Sequence, residues 1–213
     1  MGKLGDSVFS IVWCPLAFLA KTRKDHSKNI IKQNFILKTR YRKNKSITTL
    51  AELVSVLRVK DRREYAAVLK EMKISPQEFE KYATWSDTCY TRNCIEENSD
   101  FELILICWSK AQKTAIHDHG GEECWVYVVD GEYRENIYEK NDLGELKSVK
   151  SLQMQSGDVT YMIDFMGFHD LENHSNRKAM SLHLYANPIK KCNVYDADKK
   201  VFVSKKLFYN TTE

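Results

Sequence analysis

The chain has 213 residues, 43% of them hydrophobic and 29% charged, with a formal net charge of +4. That length makes one domain, or one domain with a tail, and with only 8 glycines and 3 prolines the composition excludes a disordered or collagen-like chain. The charge is uneven: residues 1–45 hold 11 Lys and Arg against 2 acids, a balance of +9, which leaves −5 for residues 46–213 and excludes a basic nucleic-acid-binding body.

In chain order, the first apolar run, Val8 to Ala20, contains Cys14 and Pro15 and has only Lys3 as a nearby preceding base. It is shorter than the roughly 18–20 residues needed to span a bilayer, and of a secretory signal it has the apolar middle but only Lys3 as a basic start and only Ala20 towards a small-residue cleavage site. Asp6 stands where a myristoylation motif needs Ser or Thr. No membrane association is expected, and a cytoplasmic location is. Six cysteines without a CxxC pair fit reduced thiols rather than a disulfide framework. Lys38 to Lys45 carries five like charges in eight residues, which predicts a poorly ordered basic leader over 1–45 and a folded domain over 46–213.

Three helix-start signatures follow: Thr49-x-x-Glu52, Asp61-x-x-Glu64 and Ser75-x-x-Glu78, the last with Pro76 at the first helical position. Leu50, Leu53, Val54 and Leu57 share one helical face. Two or three short helices are therefore expected over 47–83. Beyond residue 90 the pattern turns to β-rich runs at Phe101–Trp108, Trp125–Val129, Val159–Ile163, Ala179–Tyr185 and Val201–Val203, separated by turn signals such as Asp130-Gly131 and Ser156-Gly157-Asp158. Many strands with no helices between them predict a mainly β chain, an antiparallel barrel or sandwich over about 90–210.

His117 and His119 are two residues apart, a spacing that points both side chains to one side of an extended segment. On a solvent face such a pair does nothing, so a metal site requires a third ligand. His169, in Gly167-Phe168-His169 with Asn173 beyond it, is the candidate. His174 and His26 are read as surface residues.

His-x-His followed some fifty residues later by Gly-x-His-x3-Asn resembles the two-motif signature of the cupin superfamily, a jelly-roll barrel. The position where that signature places a glutamate ligand holds Cys124, with Glu122 and Glu123 as nearby carboxylates and Gly131 in register beyond. Ile116-His-Asp-His-Gly-Gly-Glu-Glu-Cys124, Tyr90-Thr-Arg-Asn93, Ile106-Cys-Trp108 and Ser181-Leu-His-Leu-Tyr185 together resemble the cysteine dioxygenase family in order and spacing, across roughly residues 47–196.

The resemblance implies one Fe(2+) per chain held by His117, His119 and His169. It implies L-cysteine and O2 as substrates, Arg92 as a carboxylate clamp with Tyr90 beside it, and a monomer with no nucleic-acid partner. It further implies that Cys124 and Tyr185 are joined by a thioether that acts as a protein-derived cofactor. Ser181, His183 and Tyr185 would then form a relay on one strand face, with His183 holding the Tyr185 hydroxyl. The chain departs from the family at Ala186-Asn187-Pro188, where mammalian-type members have Ser-Pro-Pro with a cis proline, and at Gly120-Gly121, expected to loosen the turn after the histidine pair. Two alternatives stand beside this reading: a dioxygenase of another small thiol such as 3-mercaptopropionate, whose enzymes commonly carry Gln in place of Arg92, and a non-catalytic cupin binding module.

Overall fold

A computed structural model describes residues 46–142 and 144–210. The basic leader expected over 1–45 lies outside the described residues. The first helix, α1 (Leu50–Leu57), starts where Thr49 accepts the Glu52 N–H at 3.2 Å, an N-cap worth about 1 kcal/mol. The Glu52 carboxylate reaches back to the N–H and hydroxyl of Thr48, one residue earlier than a reciprocal capping box would have it. Asp61 caps a 3-10 turn, Arg62–Glu64, that runs into α2 (Tyr65–Lys70). The third start signature yields a 3-10 segment, Pro76–Tyr82, rather than an α-helix, because the Ser75 hydroxyl turns to the Gln77 side chain and caps nothing.

Ten strands follow: β1 (Thr91–Glu97), β2 (Phe101–Trp108), β3 (Cys124–Asp130), β4 (Glu132–Lys140), β5 (Leu146–Gln155), β6 (Val159–Met162), β7 (Phe168–Asn173), β8 (Ala179–Ala186), β9 (Lys191–Asp196) and β10 (Val201–Lys206). They form sheets of order β1-β2-β8-β3-β6, β5-β4-β7 and β10-β9, and every pair is antiparallel. This is the expected mainly β, jelly-roll type of barrel. All five expected strands form. The other five are polar or half-exposed, and their hydrophobic alternation is too weak to mark them.

The five-stranded sheet separates two cores. Leu103, Leu105, Trp125, Leu182 and Leu184 point outward against Leu53, Leu57, Leu69 and Phe79 of the helical layer. Each such fully buried leucine contributes roughly 2 kcal/mol. Ile104, Ile106, Trp108, Cys124, Val126 and Tyr185 point inward. Side chains alternate across a strand, and both faces of β2 and β8 are buried at every position; in β8, Met180, Leu182 and Leu184 alternate with Ser181, His183 and Tyr185. Among the described residues, no helix is long and apolar enough to cross a membrane.

Gly167 precedes β7 with φ of +108°, and a Cβ there would lie 2.3 Å from the Tyr138 carbonyl oxygen. The glycine therefore lets the chain turn tightly into the strand that carries His169. Gly167→Ala is expected to cost about 2 kcal/mol or more, read as a lower midpoint of denaturant unfolding at an unchanged slope.

Candidate metal centre

His117 and His119 lie on an extended segment rather than in a regular strand. Isolated bridges pair His117 with both His169 and Val194. The bridge to β7 is reciprocal: His117 N–H donates to the His169 carbonyl at 2.9 Å, and His169 N–H returns the bond at 3.0 Å. Residues so paired share a face of the ladder, which brings the third imidazole to the first two. The ring centroids lie 5.5 Å (His117–His119), 4.7 Å (His117–His169) and 4.7 Å (His119–His169) apart. One ligand nitrogen from each falls within 4.8 Å of the others, so the three could hold a metal ion.

The donor chemistry suits one. His117 Nδ1 is 2.9 Å from the Ala115 carbonyl oxygen, and His169 Nδ1 is 2.7 Å from Glu135 Oε1. A carbonyl or carboxylate can only accept, so both Nδ1 atoms carry the proton and both Nε2 atoms keep a lone pair for a metal. Burial, reinforced by neighbouring imidazoles, pushes the His117 pKa down to about 3 and that of His119 well below the usual histidine range. Both are neutral ligands at physiological pH.

Two aspartates hold the intervening chain. Asp118, itself buried, accepts from the Asn193 main-chain N–H at 2.8 Å and its side-chain amide at 2.7 Å. Asp164 accepts from the His119 N–H at 2.7 Å and the Gly121 N–H at 2.6 Å. The Gly120-Gly121 turn is thus pinned rather than loosened, and a Cβ on Gly120 would meet the Lys191 carbonyl oxygen at 2.4 Å. Neither nearby glutamate offers a fourth ligand. Glu122 accepts from Asn187 at 2.8 Å, and Glu123 accepts from Tyr161 at 2.8 Å and pairs with Arg62 at 3.4 Å.

A cavity of about 350 Å³ opens beside the histidines. Arg92, Tyr90, His183 and Tyr185 line it along with Ile106 and Ile189. Thr91 and Asn93 explain the aim of Arg92: they face outward, where Thr91 donates to the Thr84 carbonyl at 2.6 Å and Asn93 accepts from Thr84 at 2.6 Å, so Arg92 faces in. Its Nε and Nη2 are buried without a hydrogen-bond partner. Burial opposes its charge, but the Tyr185 phenol, Glu102 and Tyr90 outweigh that and hold its pKa above the usual arginine value. Tyr90 packs against Trp108 with ring centroids 4.9 Å apart.

Cys124 and Tyr185 are direct cross-strand partners of β3 and β8. Burial raises the pKa of both the thiol and the phenol, and each is within the other's influence. Trp108 Nε1 donates to Ser181 Oγ at 2.9 Å, and Ser181 Oγ lies 2.9 Å from His183 Nε2. Indole is a donor only, so Ser181 accepts from it, and the hydroxyl joins Trp108 and the His183 imidazole in one hydrogen-bonded chain. The expected relay ends there. The His183 and Tyr185 centroids are 6.4 Å apart with no hydrogen bond between the side chains, because the Tyr185 hydroxyl turns to Arg92 and Cys124.

Asn187 adopts a φ of +72°, a region that Asn tolerates better than most residues, and it is exposed. His174 is also exposed and contacts Arg134. Sequence reasoning assigned no role to Glu135, Asp118, Asp164 or Trp108; Asp118 lies between the two histidines and Trp108 in the Ile106-Cys-Trp108 segment, while Glu135 and Asp164 had no local signal.

The family model for cysteine dioxygenase type I matches residues 37–198. Cysteine dioxygenase type 1 of Rattus norvegicus is 30% identical over 158 residues, which cover 70% of this chain and 79% of the relative. The Homo sapiens protein of the same name is 29% identical over the same shares of both chains. Among solved structures, a conserved protein with a double-stranded β-helix domain from Klebsiella pneumoniae matches with a TM-score of 0.41 at 17% identity, covering 50% of this chain and 80% of that one.

Glu135→Gln keeps the size of the side chain but removes the charge behind His169. It is expected to weaken metal binding by about 10–100-fold at an unchanged fold, measured by competition with a chromogenic chelator.

Proposed function

The chain belongs to the cysteine dioxygenase family, and from that premise we propose that it oxidises L-cysteine with dioxygen to cysteine sulfinic acid. The thiol takes up both atoms of O2, so that R–SH and O2 together make R–SO2H with no other reductant or oxidant. The observation that carries the substrate assignment is Arg92. Arg92 lines the cavity, and its buried Nε and Nη2 have no hydrogen-bond partner of the protein's own, which leaves the guanidinium for an anion. A planar fork suits a carboxylate, which it can hold through two parallel hydrogen bonds.

His117, His119 and His169 are the proposed ligands of one Fe(2+). Iron bound there supplies the redox chemistry and a favoured position for a thiolate. The protein's own residues do the rest. Arg92 fixes the substrate carboxylate, and Tyr90 walls the pocket beside it. Ile106, Leu171, Ile189 and Val194 line the cavity with apolar surface that limits water. The Trp108–Ser181–His183 chain holds the orientation of the His183 imidazole, with burial and nearby Arg92 keeping it neutral. Tyr185 presents its hydroxyl between Arg92 and Cys124. The cross-strand register of Cys124 and Tyr185 supports a thioether between the sulfur and the phenol ring, formed with the loss of a pair of hydrogen atoms to dioxygen.

We further assign the catalytic domain to residues 46–213, acting as a cytoplasmic monomer, with 1–45 as a leader outside the chemistry. Among rival thiols, 3-mercaptopropionate has the carboxylate but no amine, and cysteamine has the amine but no carboxylate, so the clamp separates the second from cysteine more sharply than the first.

Oxygen consumption by iron-loaded protein is expected with L-cysteine, weakly with 3-mercaptopropionate and least with cysteamine and homocysteine. No uptake with any thiol would overturn the assignment. Arg92→Ala is expected to raise the KM for cysteine by about 100-fold, the loss of a charge-assisted pair. Intact mass after turnover should fall by the mass of two hydrogens in the wild type and stay constant in Cys124→Ser.

A further inference from the structure

Glu102 is a fully buried carboxylate on the inner face of β2 that none of the chemistry above uses. Strand register places it directly beside Tyr185, on the side opposite Cys124. It accepts a hydrogen bond from the Ile189 N–H at 3.2 Å and another from the Tyr209 hydroxyl. That hydroxyl also lies 2.6 Å from Glu97 Oε2, and the Lys190 ammonium sits 5.9 Å from the centre of the Tyr209 ring while pairing with Glu97. The one phenolic proton of Tyr209 is thus shared between Glu102 and Glu97, with Lys190 beside them, in the segment that follows β10.

That segment crosses the cavity, with residues 205–210 contributing to its lining. Its last described residue, Asn210, bonds Arg92 twice through the main chain: Asn210 N–H donates to the Arg92 carbonyl at 2.7 Å, and Arg92 N–H donates to Asn210 Oδ1 at 2.8 Å. β1 is an edge strand, so Arg92 would otherwise present these groups on an unpaired edge. The Tyr185 hydroxyl holds one end of the guanidinium while Nε and Nη2 are unpartnered, so the aim of Arg92 also depends on how its backbone is held.

We propose that Glu102 and Tyr209 form a latch that positions the substrate clamp: the buried carboxylate fixes Tyr209, Tyr209 seats Asn210, and Asn210 fixes the backbone of Arg92 and closes the cavity mouth. The latch makes the site selective for thiols that carry a carboxylate. This rests on the reading of Arg92 as the carboxylate clamp. Glu102 and Tyr209 are positioning residues that need not touch the substrate.

Tyr209→Phe removes only the hydroxyl and keeps the ring. It is expected to raise the KM for L-cysteine by about tenfold, the worth of a hydrogen bond to a charged group, with kcat changed by less than about twofold. KM for cysteamine, which has no carboxylate for the clamp, should not move. Glu102→Gln still offers an acceptor to Tyr209 but loses its charge near Arg92, and because the two side chains share the Tyr209 contact the double variant should raise the KM by less than the product of the two single effects.

A second readout needs no turnover. Cys192 is buried, lines the cavity and pairs with Lys205 across β9 and β10. In metal-free protein, its alkylation, followed by peptide mass mapping, should be about tenfold faster in Tyr209→Phe than in wild type. An unchanged Cys192 rate together with an unchanged KM for cysteine would overturn the latch. Equal rises in KM for cysteine and cysteamine would reduce it to a general structural role and overturn the selectivity. Wild-type protein that consumes no oxygen with any thiol would instead defeat the proposed function, and the Cys192 rate would still decide whether the latch exists.

Discussion

A reciprocal pair of main-chain hydrogen bonds ties His117 to His169, and the site depends on it. The two segments are distant in sequence, and neither imidazole can bind a metal usefully alone. The bridge sets His169 opposite His117 on one face, and the spacing of two along the extended chain adds His119. Glu135, Asp118 and Asp164 then hold the ligands from behind. Each is a carboxylate accepting hydrogen bonds, and none of them competes for the metal position, because their oxygens are already engaged with ring or main-chain N–H groups.

Charge within the barrel is distributed to the same end. Neutral imidazoles leave a bound cation uncompensated, and Arg92 adds a further positive charge beside them. The folded body is acidic overall, with a balance of −5 over residues 46–213, so attraction for the thiol acid proposed as substrate would have to be local. It would come from within the cavity, where burial strengthens each electrostatic contact. Glu102 lies close enough to Arg92 to stabilise its charge without occupying Nε and Nη2. Burying the guanidinium is thereby made tolerable while its fork stays open to a ligand.

Much of this was legible in the sequence, and what was not has a physical cause. A strand buried on both faces, such as β2, announces itself as an apolar run, β8 shows apolar residues alternating with Ser181 and His183, and the histidine spacings declare a metal face once a third ligand is at hand. Cys124 and Tyr185 could be paired only through a family resemblance, and the register of β3 and β8 supplies the physical reason. β1, β4 and β9 are polar strands whose fit depends on partners elsewhere, so periodicity does not mark them. Glu135, Asp164 and Glu102 are ordinary acids in the sequence; only the fold places them against His169, the His119 turn and Tyr209. Pairwise relations across long separations are invisible to local pattern, and the departure of His183 from Tyr185 is of the same kind: shared strand face is legible, but the direction of a hydroxyl is not.

The central claim is that this cavity delivers both atoms of dioxygen to the sulfur of a carboxylate-bearing thiol. Its most direct test is turnover of L-cysteine by the iron-loaded protein under isotopically labelled dioxygen, with mass analysis of the product. The account predicts cysteine sulfinic acid carrying the label at both sulfur-bound oxygens. A product with one labelled oxygen, or cystine alone, would contradict it.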